Sequence, residues 1–345
     1  MTRLTRRLLA LLVGAVLTAP LFGHSADAAS NQLRLLVWEG YAEQDWVEEF
    51  KKKFEADVQV VYLASDDEMW TKIKGSDGAD FDLVSVSTSG VGKFVDNGLF
   101  KPIDTSKLPN LKNQLPQFQD LTKISGIARD GNVYGVPFAF GSIGLIYDKD
   151  RVNPPPTSWN VLWDPQYKQK VIVSDTSEVG ISMVAMSLGI QTPYNLSDEQ
   201  LAQVKERLSA LRGNMLSYYS SSDESLQVYE AGNVDLIFTP WGEQAAGAFR
   251  KAGHNVGYAI PDEGASGWID VWAMTKGVQN VDLALAWINF TFEKHISAEL
   301  TKRFNLGNTV TESPDFDYAD RLKWSEQVEN FTKRNDIWNA VKAGQ

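Results

Sequence analysis

The residues with chemical capacity in this chain fall in five short segments, and they are mostly aromatic and acidic. The segments read Trp38-Glu39-Gly40-Tyr41, Ser87-Thr88-Ser89-Gly90, Ser174-Asp175-Thr176-Ser177-Glu178, Pro240-Trp241-Gly242-Glu243 and Trp268-Ile269-Asp270. None of them contains Lys or Arg. That combination suits an ammonium ligand. An ammonium withdrawn from water needs carboxylates to replace its lost hydration. Its methylene neighbours pack on aromatic faces, and the charge is drawn to the ring quadrupole. An anionic substrate would want Arg or bare helix N-termini. Each residue also has a plainer role: Trp packs, and an acid at a helix start, such as Asp175 or Glu178, caps the dipole. Recurrence at five separated places is what argues for a site.

Catalytic and cofactor patterns find little support. Gly90-Val91-Gly92-Lys93 touches the phosphate-loop pattern, but Ser87 occupies the required first glycine and Phe94 the required Ser/Thr. There is no G-x-S-x-G elbow. The three histidines, His24, His254 and His295, lie far apart, and there is no cysteine for zinc or nucleophilic chemistry. No cofactor or metal is expected, and the chain reads as a binding protein rather than an enzyme. A paired-carboxylate hydrolase needs only two acids at a suitable separation and stays as a lesser reading.

Strands and helices must bring these segments together. Leu33–Trp38, Val58–Leu63 and Leu83–Val86 read as buried strands, with helical patterns at 44–55, 67–74 and 90–97. Val133–Phe138 and Ile143–Asp148 read as a strand pair joined by Ala139-Phe140-Gly141-Ser142. Further strands are expected at Val171–Val173, Leu236–Thr239, Val256–Ile260 and Val271–Ala273. Ser197 and Gln200 form a capping box ahead of Leu201, Val204, Leu208 and Leu211. A helix around 281–292 groups Leu283, Trp287 and Phe290, and beyond 312 the spacing of Trp324, Val328 and Phe331 is helical. Alternation of this kind implies α/β lobes with mostly parallel sheets. In such sheets ligands bind at the carboxyl ends of strands. Four of the segments follow strands, and Trp268-Ile269-Asp270 stands just before Val271–Ala273.

Length and composition agree. The 345 residues suit two domains, and 11 Trp, 11 Tyr and 16 Phe can fill their cores. Arg3, Arg6 and Arg7, the apolar run Leu8–Leu17 and Ala26-Asp27-Ala28 read as a secretory signal peptide over 1–28. Removing it takes away three arginines and one aspartate, leaving 30 basic against 43 acidic side chains. That field disfavours nucleic acid and anionic lipid. With no thiol to carry a lipid, the mature chain is expected free in a periplasm, as a monomer.

The mature chain resembles, across nearly its whole length, the periplasmic spermidine/putrescine-binding proteins of ABC importers. The resemblance rests on Trp38-Glu39-Gly40-Tyr41, Phe81-Asp82-Leu83-Val84 followed by Ser87-Thr88, and Tyr134-Gly135-Val136-Pro137. It also rests on the run from Ser158 to Lys168 (SWNVLWDPQYK) and on Gly267-Trp268-Ile269-Asp270. It implies a two-lobed, type II binding-protein fold with parallel or mixed sheets, hinge crossings and an interlobe cleft. One lobe would hold 31–138 with 267–309, and the other 139–266 with 310–345. By the same analogy Asp270 and Glu178 would pair with ammonium groups, with Asp175 as a further acid. Trp38, Tyr41, Trp241 and Trp268 would box the alkyl chain beside Ser87. Glu39 stands where polyamine binders usually carry a small hydroxyl residue, and Ser89 where they often carry an aromatic. The implied ligand is therefore a polyamine or, alternatively, an ω-amino acid such as γ-aminobutyrate. The implied partner is a membrane permease with a separate ATPase; a membrane sensor is the alternative.

Overall fold

Apolar runs with no polar relief build the first sheet. In the strand Gln32–Trp38, Leu33, Leu35, Leu36 and Val37 are fully buried, as expected of a strand covered on both faces. It pairs in parallel with Asp57–Leu63 on one side and Leu83–Ser87 on the other. The computed structural model describes residues 31–345 apart from Ala64, residues 313–317 and residues 319–320. The signal peptide expected over 1–28 lies outside the described residues. Among the described residues no helix is long and apolar enough to cross a membrane.

The molecule has two α/β lobes, each built on one mixed sheet. The first sheet runs Gly307–Asn308, Val136–Ser142, Ala265–Thr275, Leu83–Ser87, Gln32–Trp38, Asp57–Leu63, and the short strands Phe100–Lys101 and Leu322–Trp324 also pair with Ala265–Thr275. The second runs Met215–Tyr219, Val171–Ser174, Leu236–Thr239, Gly144–Asp148, Val256–Ala259. Both combine parallel and antiparallel pairs, where the alternation of elements implied mostly parallel ones. One apolar cluster reaches from Leu36 and Val84 of the first sheet to Val171 and Phe238 of the second. Two others cover the outer faces, around Trp272 and Trp287 in one lobe and Ile146 and Phe249 in the other.

Most expected elements are present. The capping box at Ser197 and Gln200 forms, with Leu201, Val204, Leu208 and Leu211 buried beneath it. Four readings need correction. Ala139–Ser142 is not a connector: it continues the strand Val136–Ser142 in the first sheet, and the chain enters the second sheet at Gly144. Trp268 and Asp270 do not precede a strand but lie inside the strand Ala265–Thr275, which also carries Ala265 and Ser266 into the first sheet. The helical spacing from Trp324 breaks down because Leu322–Trp324 pairs in parallel with Ala265–Gly267, and helix begins only at Phe331. The segment 310–345 thus divides, since its strand joins the first sheet while its helix Phe331–Lys342 packs on Ser177–Ser187 and Asp198–Leu211 of the second lobe.

Candidate functional site

The long strand Ala265–Thr275 organises the site. It runs antiparallel to Leu83–Ser87, and this register sets Asp270 opposite Ser87, the last residue of that strand. A mid-strand acid thus reaches the carboxyl end of its neighbour. From the turn after Trp38, the Tyr41 hydroxyl donates to Asp270 Oδ2 at 2.7 Å. The Tyr41 ring stands edge-on to Phe138, 5.3 Å between centroids. Asp270 is 8% exposed, and Tyr41 is the only hydrogen-bond partner of its carboxylate among the described residues. Burial pushes its carboxyl up to about 7; the Tyr41 hydrogen bond pulls it down, and the charge of Asp66 pushes it up further. The Tyr41 hydroxyl is in turn driven well up, by burial and then by Asp270.

The aromatic residues of the predicted segments are held in different ways. Trp38, half-buried at the end of its strand, is fixed by its backbone N–H to Ser85 Oγ at 3.2 Å. The Trp268 indole packs against the neighbouring strand, where a Cβ at Gly141 would stand 2.2 Å from its ring, so only glycine fits there. Its Nε1 donates to Pro240 O at 3.3 Å, tying the first sheet to the second beside Trp241. Trp241 opens the helix Gly242–Lys251 and leans on Tyr219 at 6.1 Å.

A cavity of about 770 Å³ brings Ser87, Ser89 and Glu178 together. Ser87 and Ser89 share a hydroxyl contact of 2.9 Å. Glu178, half-buried in the first turn of Ser177–Ser187, has its carboxyl raised by burial, against the pull of Arg334 and with the push of Asp66. Asp66 lines the same cavity, as do Trp70 and Lys93. Its side chain meets solvent, yet cleft walls surround it, and that burial together with Asp67 raises its carboxyl while Lys93 opposes. The sequence reading missed Asp66 and Trp70. The same strand-end rule, applied after Leu63, points to Ser65-Asp66-Asp67, which otherwise reads as an ordinary helix start.

Two predicted residues are directed elsewhere. Asp175 accepts from Trp338 Nε1 at 2.8 Å and is ion-paired with Lys342, both on the C-terminal helix. Glu39 is exposed on the turn, where its charge is felt by Glu43 and Tyr62.

The acids of the cleft are spread out. Among the described residues, the one set of three or more metal-type ligands with atoms mutually within 4.8 Å is Glu49, Glu293 and His295, away from the cleft residues. Glu178 and Asp270 each feel the charge of Asp66, and the three do not converge on a point. Such spacing suits an elongated cation better than a single ion.

Residues 45–332 match the family model of the bacterial extracellular solute-binding proteins. The chain belongs to this family. Other solute-binding proteins similar to it include the spermidine/putrescine-binding periplasmic protein of Salmonella typhimurium, 29% identical over 306 residues, covering 88% of this chain and 83% of that one. The putrescine-binding periplasmic protein SpuD of Pseudomonas aeruginosa is 30% identical over 304 residues, covering 83% of this chain and 81% of its own. Among solved structures, the spermidine/putrescine ABC transporter substrate-binding protein PotD of Streptococcus pneumoniae superposes with a TM-score of 0.79 at 24% identity, covering 91% of this chain and 99% of that one. The binding-protein fold expected from the sequence is therefore the observed one.

Proposed function

We propose that this solute-binding protein is the periplasmic receptor of an ABC importer and captures a small linear amine, a polyamine of the putrescine or spermidine kind. The observation that carries this reading is the cavity lined by Asp66, Glu178, Trp70 and Ser87, with the buried Asp270 paired opposite Ser87 and all three carboxyls raised. Each acid is held at a cost that an ammonium group would relieve. The names of the relatives described above support the same ligand class.

In this reading Asp270 receives one ammonium, with Tyr41 fixing its carboxylate, and Glu178 receives another from the opposite lobe. The indoles shield the methylenes. The two lobes, one around each sheet, would close by bending where the chain crosses between sheets, at Ile143, over 260–264 and near Ser325. A permease with a separate ATPase would read the closed form. Export by a cleaved signal peptide, without a lipid anchor, and a monomeric state belong to this proposal.

An ω-amino acid is the second reading, and Lys93 favours it, because its ammonium lines the same cavity and could meet a ligand carboxylate. A thermal-shift series with diamines, polyamines and ω-amino acids tests both. A ligand that binds only the folded state raises the melting temperature. Shifts with putrescine or spermidine are expected, and no shift with any amine would overturn the proposal.

A further inference from the structure

The cleft already contains a cation of the protein's own. Lys93 lies on the helix Thr88–Asp96 that follows Ser87. Its Nζ stands 4.0 Å from the centroid of Trp70. Trp70 is braced at 5.4 Å by Phe94, which stacks on Phe100 at 4.6 Å. Asp66 precedes Trp70 by four residues on the helix Asp66–Gly75, so the two share a face. The charge of Lys93 acts on the Asp66 carboxyl. Lys74 also approaches Trp70, but at 5.9 Å, and it donates to Asn97 Oδ1 at 3.2 Å.

An aromatic face beside a carboxylate is what a ligand ammonium uses. We propose that Trp70 and Asp66 form a further cation subsite of the cleft, that Lys93 fills it, and that Lys93 thereby sets how long and how highly charged an accepted amine can be. This rests on the amine reading above. A diamine held by Asp270 and Glu178 leaves Lys93 in place. A triamine reaching Trp70 meets the charge of Lys93 or must displace it. The lysine stem is flexible, so displacement weakens binding without forbidding it.

The test is titration calorimetry of the full mature chain with putrescine and with spermidine, in the wild type, Lys93→Met and Lys93→Met combined with Trp70→Ala. Lys93→Met is expected to tighten spermidine binding by about tenfold. It should change putrescine binding by less than about threefold. Adding Trp70→Ala should remove the gain for spermidine. Equal changes for both amines, or none, would overturn the subsite while leaving the amine receptor standing. Weaker γ-aminobutyrate binding in Lys93→Met would also overturn it, since Lys93 would then be a carboxylate donor. A wild type that binds no amine defeats the receptor reading, and this inference with it.

Discussion

Two buried aspartates of the first sheet have opposite surroundings. Asp82, fully buried before the strand Leu83–Ser87, accepts the backbone N–H of Arg34 at 2.7 Å and that of Gln279 at 2.9 Å. It also takes Nε and Nη2 of Arg34 at 3.1 and 2.8 Å. Arg34 completes its own bonding on the carbonyls of Ala79 and Gly277. The carboxylate of Asp270, two strands away from Arg34 in the same sheet, accepts from Tyr41 alone among the described residues. A carboxylate has about four acceptor positions. Asp82 fills them with its own chain, whereas Asp270 keeps most of them. Burial does not separate a structural acid from a ligand-binding one; the bonding capacity left after folding does.

Breaking the saturated acid should have the largest effect. Asp82→Ala strands the Arg34 guanidinium in the sheet, and the expected loss is about 3–5 kcal/mol of stability. Urea unfolding measures it, and the folded fraction should keep its amine affinity. Asp270→Asn should do the reverse. Amine binding should weaken by about 2–5 kcal/mol, with a melting temperature at pH 8 no lower than that of the wild type. An Asp270→Asn protein that unfolds as Asp82→Ala does, or binds amine unchanged, breaks the comparison.

Acidity sharpens it next. The unfolded chain ionises Asp270 near the ordinary value of about 4, whereas burial holds the folded group to about 7. Between those values the unfolded state has released a proton that the folded state keeps. This contribution to ligand-free stability is present at the acidic end, falls as pH rises through the window, and is flat above it. Ligand binding has the opposite dependence. An ammonium favours the carboxylate, so affinity should rise with pH up to about 7, with proton release on binding. Calorimetry at pH 6 in two buffers of different ionisation enthalpy reads that proton directly. Asp270→Asn should reduce the release, leaving only what Glu178 and Asp66 contribute.

The strand framework was legible because the signal was local and dense. Leu33, Leu35, Leu36 and Val37 permit little but a buried strand, and Ser197 with Gln200 marks a helix start without any tertiary help. The interior of Ala265–Thr275 was less legible, because Ser266, Gly267 and Asp270 look like strand breakers. The fold needs Gly267, since a Cβ there would stand 2.8 Å from the Trp324 ring, and Asp270 gains its place from long-range pairing with Ser87. Asp66 stands just ahead of a helical pattern, where an acid is unremarkable, and Lys93 read as part of a failed phosphate loop. Both became interpretable only when folding brought their helices around one cavity. The Leu322–Trp324 strand was hidden for a similar reason: its partner lies about 57 residues upstream, and no periodicity reports that pairing.

Asp175 offers the smallest and most discriminating test. Sequence position grouped it with the ligand acids, since it follows the strand Val171–Ser174 as Trp241 follows Leu236–Thr239. In the fold its Oδ1 accepts the Trp338 indole and its Oδ2 pairs with Lys342, so both oxygens are engaged by the C-terminal helix. Its side chain is 32% exposed, which limits the value of the pair. Asp175→Asn can retain the indole hydrogen bond and loses only the ion pair. The expected cost is about 0.2–1 kcal/mol of stability, with amine affinity changed by less than about threefold. Calorimetry beside Asp270→Asn measures both on one scale. If the two substitutions weakened binding equally, a carboxylate with both oxygens already engaged by its own chain would be serving the ligand, and the rule drawn from Asp82 and Asp270 would fail where it was least expected to.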